Sequence, residues 1–325
     1  MTYFYPKGSY NSQPILRGCA NVVISVIPLT FSAFIVVIFM TRKPFKNNIC
    51  FVIMANLGVV QCFHSMTYLC AGIFLLADST FAPIVECIPA SVSAACLSTY
   101  YLHTALLAFN RFVVISDAIK LNRRVYHLLL ALIWMFFLSH SAVKCSPFAW
   151  SVFYQDVGFF TVAPRFIFLW TPYPWTPYIR KITKHLTLIS LITTGALYVL
   201  TVLFLAYKRK QLTSHQQLMS KAEFRILVQA FAIFLTCLWN FFGTTVIQNT
   251  FDMRSVEFAV WFYVSQLTLQ WVNPVLYLVM NRDLRVVVRK IMKCGKNNAV
   301  MNVSVRSDVI SQTSSSSSTA NLQAK

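Results

Sequence analysis

Asn273-Pro274-Val275-Leu276-Tyr277 sits near the end of an uncharged run over residues 258–280, which stops at Asn281-Arg282-Asp283. A proline inside a membrane helix lacks the N–H that would pair with a carbonyl one turn back, and a polar neighbour such as Asn273 can satisfy that carbonyl. A helix that gives up stability in this way is expected to bend or move. The segment is also the last of seven apolar runs, so it bears on fold and mechanism together.

Composition points to a membrane. Hydrophobic residues make up 57% of the chain and charged residues only 11%, against about 25% charged in a soluble domain. A bilayer-crossing helix needs roughly 20 apolar residues. Seven stretches reach that length: 19–40, 49–77, 87–115, 125–143, 186–207, 226–251 and 258–280. The fold class is therefore all-α integral membrane, a seven-transmembrane helix bundle. The first run is too long for a signal-peptide core and has no small-residue cleavage site after it, so it reads as an uncleaved span.

Positive charge sets the orientation. With the N-terminus outside, the inner segments hold Arg42, Lys43 and Lys46, then Arg111, Lys120, Arg123 and Arg124, then Lys208, Arg209, Lys210, Lys221 and Arg225, and finally a basic tail. The outer Arg180, Lys181 and Lys184 weaken the contrast without reversing it. The net charge of +19 follows from topology and from anionic lipid at the inner leaflet. Cations spread over four membrane-flanking segments do not make a nucleic-acid surface.

Residues 1–18 read as an outer N-terminal tail, 19–293 as the seven-helix domain, and 294–325 as a disordered cytoplasmic tail with a serine run at 314–318. Residues 281–293 form a short amphipathic eighth helix. Leu284, Val287, Val288, Ile291 and Met292 share one face, with Arg285, Arg289, Lys290 and Lys293 largely opposite, as suits the membrane interface. Cys294 at its end is a palmitoylation candidate, the alternative being an unmodified thiol. The longest outer segment, 144–185, carries Pro147, Pro164, Pro172, Pro174 and Pro177 among many aromatic residues. It is expected either to fold over the bundle mouth or to pack on its own helices and the headgroups.

Most of the nine cysteines lie within spans, where a thiol acts as a small apolar group. Two stand apart. Cys87 begins the third span at the outer face, and Cys145 is the single cysteine of the long outer loop. That face is oxidising, so a bridge between them is expected. Arg111, in Asn110-Arg111-Phe112, is a charge at the inner end of the third span. It is either functional or a topology-setting arginine that reaches the interface.

Seven spans, Arg111 ending the third, the Cys87 and Cys145 pair, Trp134 in the fourth and Asn273-Pro274-x-x-Tyr277 resemble a rhodopsin-like G-protein-coupled receptor over residues 19–293. The finer texture is similar to nematode serpentine chemoreceptors, of class T or a neighbouring class. It lies in the stretch Cys50-Phe51-Val52-Ile53-Met54-Ala55-Asn56-Leu57-Gly58, in Ala71-Gly72-Ile73-Phe74, in Leu107-Ala108-Phe109-Asn110-Arg111, and in Tyr277-Leu278-Val279-Met280-Asn281-Arg282-Asp283-Leu284-Arg285.

The resemblance implies signal transduction at the plasma membrane, in such chemoreceptors at a sensory cilium. An outside ligand shifts a two-state bundle, the inner end of the sixth helix swings outward, and a heterotrimeric G protein exchanges nucleotide. Arg111 would contact the G protein or lock the resting state, Tyr277 would swing inward, and Glu223 would pair with Arg111 at rest. Glu223 reads equally well as a solvated carboxylate at a helix start. The chain departs from the pattern where Asn110 replaces the usual acid and where Gln61 stands in the second-span aspartate position. The sixth span has Trp239 but no proline after it, only Asn240-Phe241-Phe242-Gly243. A neutral amide at Gln61 makes an internal sodium site doubtful.

The outer half of the third span lacks the aspartate that would hold an amine. Ser91, Ala94, Ala95 and Ser98, with Trp239 below and Tyr263 and Gln266 from the seventh span, are candidate walls for a small, mostly apolar ligand. Small residues also suit plain helix packing. A peptide ligand is the alternative, and a seven-span ligand-gated channel, which puts its N-terminus inside, is a further one. Enzyme motifs, metal-ligand spacings and cofactor motifs are not found, so no catalytic role and no cofactor are expected.

Overall fold

The computed structural model describes residues 14–79, 81–116, 121–146, 152–154, 159–161, 176–211, 221–250 and 256–294. Most of the expected N-terminal tail, Pro147, Pro164, Pro172 and Pro174 of the outer loop, and the serine run lie outside them. The elements in order are α1 (Pro14–Thr41), α2 (Lys43–Lys46), α3 (Ile49–Ala77), α4 (Pro83–Ser116), α5 (Arg123–Cys145), β1 (Val152–Tyr154), β2 (Phe159–Thr161), α6 (Thr176–Gln211), α7 (Lys221–Thr250), α8 (Val256–Met280) and α9 (Arg282–Cys294). Among the described residues, α1, α3, α4, α5, α6 and α7 contain segments long and apolar enough to cross a membrane. α8 carries the seventh expected span. The chain divides into Met1–Leu284 and Arg285–Lys325.

Local chemistry explains where helices start and stop. Asn48 caps α3 by accepting from the Cys50 N–H at 3.0 Å, and Asn122 caps α5 by accepting from the Arg124 N–H at 3.0 Å. α3 ends where Asp78 turns left-handed, at φ 50°. Asn281 separates α8 from α9 and caps the latter, its Oδ1 accepting from the Leu284 N–H at 3.0 Å. Some hydroxyls inside the spans are spent on their own helices, as with Thr30 on the Val26 carbonyl at 2.8 Å and Thr104 on the Tyr100 carbonyl at 2.9 Å, whereas those of Ser25, Ser32, Ser65 and Thr99 are buried without a hydrogen-bond partner.

α1 packs most extensively on α3, through glycine. A Cβ on Gly72 would stand 2.9 Å from Val22 Cγ2 and 3.0 Å from the Val22 backbone nitrogen. The two backbones therefore touch at a point where only hydrogen fits. α4 is the central helix and meets α3, α5, α6 and α7. Its neighbours turn their apolar sides outward: Leu128, Leu132, Met135 and Leu138 of α5 lie at helical spacing and are each more than half exposed. Polar side chains go inward, among them Gln61, His103, Asn240, Gln270 and Asn273. A bundle arranged this way is stable in a solvent as apolar as its surface, which makes the chain a multi-pass membrane protein.

β1 and β2 form an antiparallel hairpin that pairs Val152 with Thr161 and contacts α4. The outer loop thus contains regular structure that the sequence reading did not anticipate.

Candidate functional site at the core of the bundle

The end of the bundle that the charge pattern marks as inner is built around Arg111. α4 carries it into the interior, where it is 5% exposed. Among the described residues its hydrogen-bond partner is Cys50 Sγ, reached by Nη2. Asn110 gives no help: both polar atoms of its side chain are buried without a hydrogen-bond partner. Tyr198 of α6 is close enough to Arg111 to feel its charge. Tyr277 of α8 packs by ring contact on Phe39, 5.6 Å between centroids, within a cluster completed by Phe45 and Phe51. α1, α2, α3 and α8 thereby hold Tyr277 in an apolar seat.

One layer outward, α7 is tied to α4. Tyr101 donates its hydroxyl proton to Asn240 Oδ1 at 2.9 Å, and Thr104 meets Cys237 Sγ at 3.7 Å. α3 is tied to α8 by Gln61, whose Nε2 donates to the Leu269 carbonyl at 2.7 Å. This corrects the expectation for Asn273. Its two side-chain polar atoms have no hydrogen-bond partner, so Asn273 does not serve the Gln270 carbonyl that Pro274 leaves without a helical N–H, and Gln61 binds the carbonyl one residue earlier, that of Leu269. The Tyr100 hydroxyl faces Asn273 without reaching hydrogen-bond geometry. Replacing Gln61 by leucine removes the α3–α8 bond at about 0.6–1.7 kcal/mol. The purified chain should then melt a few degrees lower; an unchanged melting midpoint would show that the bond carries no weight.

A cavity of about 10 Å³ lies beside this bond, lined by Val60, Gln61, His64, Cys96, Leu97, Tyr100 and Leu269. That is room for about one water molecule, far less than an odorant needs. Of the expected wall residues, Ser91, Ala95 and Ser98 are buried and Ala94 partly so, but a different set lines this cavity. Ser98 is engaged with the Ala94 carbonyl at 3.4 Å and Ser91 with Cys87 Sγ at 3.6 Å. Gln266 is buried with its Nε2 unbonded.

Trp239 is displaced from its expected place. It is 51% exposed, on the outside of α7, and Asn240, at 1%, occupies the interior. The side chains of Tyr263, Glu223 and Cys294 lie outside the described ones. Cys87 and Cys145 are not joined: both are thiols, and Cys87 Sγ lies 3.8 Å from the carbonyl of Lys144, the residue before Cys145. Trp134 fulfils a structural part, donating from Nε1 to Asn56 Oδ1 at 2.8 Å and packing edge-on against His103. The sequence reading missed Cys50, Tyr100, Tyr101, Tyr198 and Asn240. A polar side chain inside an apolar run is itself a mark of the interior face, and by that signal Asn240 was detectable. Among the described residues, no three His, Cys, Asp or Glu side chains come together to hold a metal ion.

No protein-family model matches the sequence, and no curated protein matches it. Solved structures do. Squid rhodopsin matches with a TM-score of 0.72 over 93% of this chain and 93% of its own, at 11% identity. The similarity of architecture at so low an identity establishes the fold and not the function. The chain is an all-α, multi-pass membrane protein with the rhodopsin fold, seven spans followed by a short eighth helix.

Proposed function

We propose that this chain is a chemosensory G-protein-coupled receptor of the serpentine type. A small, mostly apolar ligand enters the outer half of the bundle, and a heterotrimeric G protein engages the inner end. The observation that carries the proposal is the buried Arg111 on the central helix, in contact with Cys50 of α3 and with Tyr198 of α6 within reach of its charge. A charge in a span costs up to about 2.5–3.5 kcal/mol on insertion scales, and such residues mark function by default. The rhodopsin fold and the absence of enzyme motifs support the same reading.

In this proposal the aromatic seat of Tyr277 and the contact of Arg111 with α3 belong to the resting state. Activation frees both. The hydrogen bond between Tyr101 and Asn240 joins α7 to the helix that carries Arg111, and so links the ligand half to the inner half. Glu223, at the inner start of α7, is a second restraint on Arg111. Cys87 and Cys145, not bridged in this structure, would pair in an oxidising exterior; the 3.8 Å approach of Cys87 Sγ to the carbonyl of Lys144, the residue before Cys145, supports that pairing. The excess of basic residues on inner segments supports a plasma-membrane protein with its N-terminus outside.

Cells expressing the full chain with a promiscuous G protein, challenged with small apolar volatiles and soluble odorants, test the proposal. A response is expected to at least one compound class, and an epitope on Met1 should label intact cells. Labelling only after permeabilisation would instead fit the inverted topology of a seven-span channel and would sink the receptor reading.

A further inference from the structure

We propose that Cys50 is the positioning residue that holds Arg111 against the inner end of α3. The inference concerns the same inner site and rests on the receptor reading for its signalling consequence, though not for the contact itself.

A guanidinium enclosed in a membrane bundle needs an acceptor. Asn110, its chain neighbour, does not supply one, since its side-chain oxygen and nitrogen are both without hydrogen-bond partners. Cys50 does, and it is built to do so. It is 2% exposed, in the first turn of α3. Its backbone N–H is pinned by Asn48 Oδ1 at 3.0 Å, which fixes where the side chain leaves the helix. Its thiol proton is directed to Met54 Sδ at 3.7 Å, one turn along. With the proton turned to Met54, the sulfur lone pairs face Nη2 of Arg111. The neighbouring Phe51 belongs to the aromatic cluster that seats Tyr277. One short segment of α3 thus governs both inner-end side chains.

Sulfur is a weak acceptor, whereas a carboxylate would oppose the guanidinium with a full negative charge and accept from it in bidentate fashion. Cys50 therefore sets a light restraint: enough to orient Arg111, and released more readily than an acid would allow.

The test uses the full chain in bilayer nanodiscs and two readouts, thermal melting and basal nucleotide exchange on a heterotrimeric G protein. Cys50→Ala should lower the melting midpoint of the otherwise unaltered chain and do little in the Arg111→Ala background. Cys50→Ser, which keeps an acceptor, should restore most of the loss. Equal losses in both backgrounds would overturn the pairing. Basal exchange should rise several-fold in Cys50→Ala and fall below the unaltered level in Cys50→Asp. Coupled melting with exchange unmoved in both variants would overturn the restraint. If the unaltered chain drives exchange on no G protein, the melting cycle still decides the pairing, and the receptor reading is what fails.

Discussion

Replacing Arg111 by alanine should leave the chain at the cell surface and abolish nucleotide exchange on the G protein. The two halves of that result have separate causes. Removing a buried cation from near the end of a span relieves a cost of at most about 2.5–3.5 kcal/mol, the insertion-scale value for a helix centre. Among the described residues the lost partner is one thiol, and a thiol makes a weak bond. Folding and trafficking are therefore not expected to suffer. The inner end, by contrast, loses its one described buried cation, the group around which Cys50 and Tyr198 are arranged. Surface staining alongside exchange on a purified heterotrimer reads both. A fall in staining that matches the fall in exchange would make Arg111 a structural residue and nothing more.

Gly72→Leu should remove the chain from the surface altogether. At Gly72 even a Cβ meets Val22 Cγ2 at 2.9 Å, the Val22 nitrogen at 3.0 Å and Asn21 Cβ at 3.1 Å. A side-chain methyl can rotate away, but a backbone nitrogen cannot, so α1 would have to part from α3. Overpacking of this kind costs about 1–3 kcal/mol or more. A folded domain has only about 5–15 kcal/mol in reserve. Without α1 in place, Phe39 is withdrawn from Tyr277 as well, and fold and switch fail together. Gly243→Ala is the control, since a Cβ there has open space around it and a helical glycine costs about 1 kcal/mol relative to alanine. Retention of Gly72→Leu inside the cell, with Gly243→Ala at normal surface levels, is the expected pair of results. Equal surface levels for the two variants would contradict the packing account.

Much of the fold was legible because membrane helices announce themselves by length. The run over 49–77 coincides with α3, Ile49–Ala77, and the break at Asn281 falls between α8 and α9. The start of α6 was not legible. Apolarity begins at Leu186, yet the helix begins at Thr176, because Arg180, Lys181 and Lys184 do not suit lipid but suit a helix well. The phase of α7 was hidden for another reason. A helix that is apolar nearly all round has no sharp face in its sequence, so the polarity of Asn240, inside, was the one local cue that set it apart from Trp239, on the outside. Cys50 was invisible as a partner because a cysteine in an apolar run ordinarily marks only a small side chain. Its meaning comes from α4, 61 positions away, and is a matter of tertiary structure.

The central claim, that the inner end of this bundle acts on a G protein through Arg111, is tested most directly by GTP-analogue exchange on a purified heterotrimeric G protein. The full chain and its Arg111→Ala variant, each in nanodiscs, are compared at equal amount. The account predicts faster exchange with the unaltered chain and none above background with the variant. Equal exchange from both would contradict it.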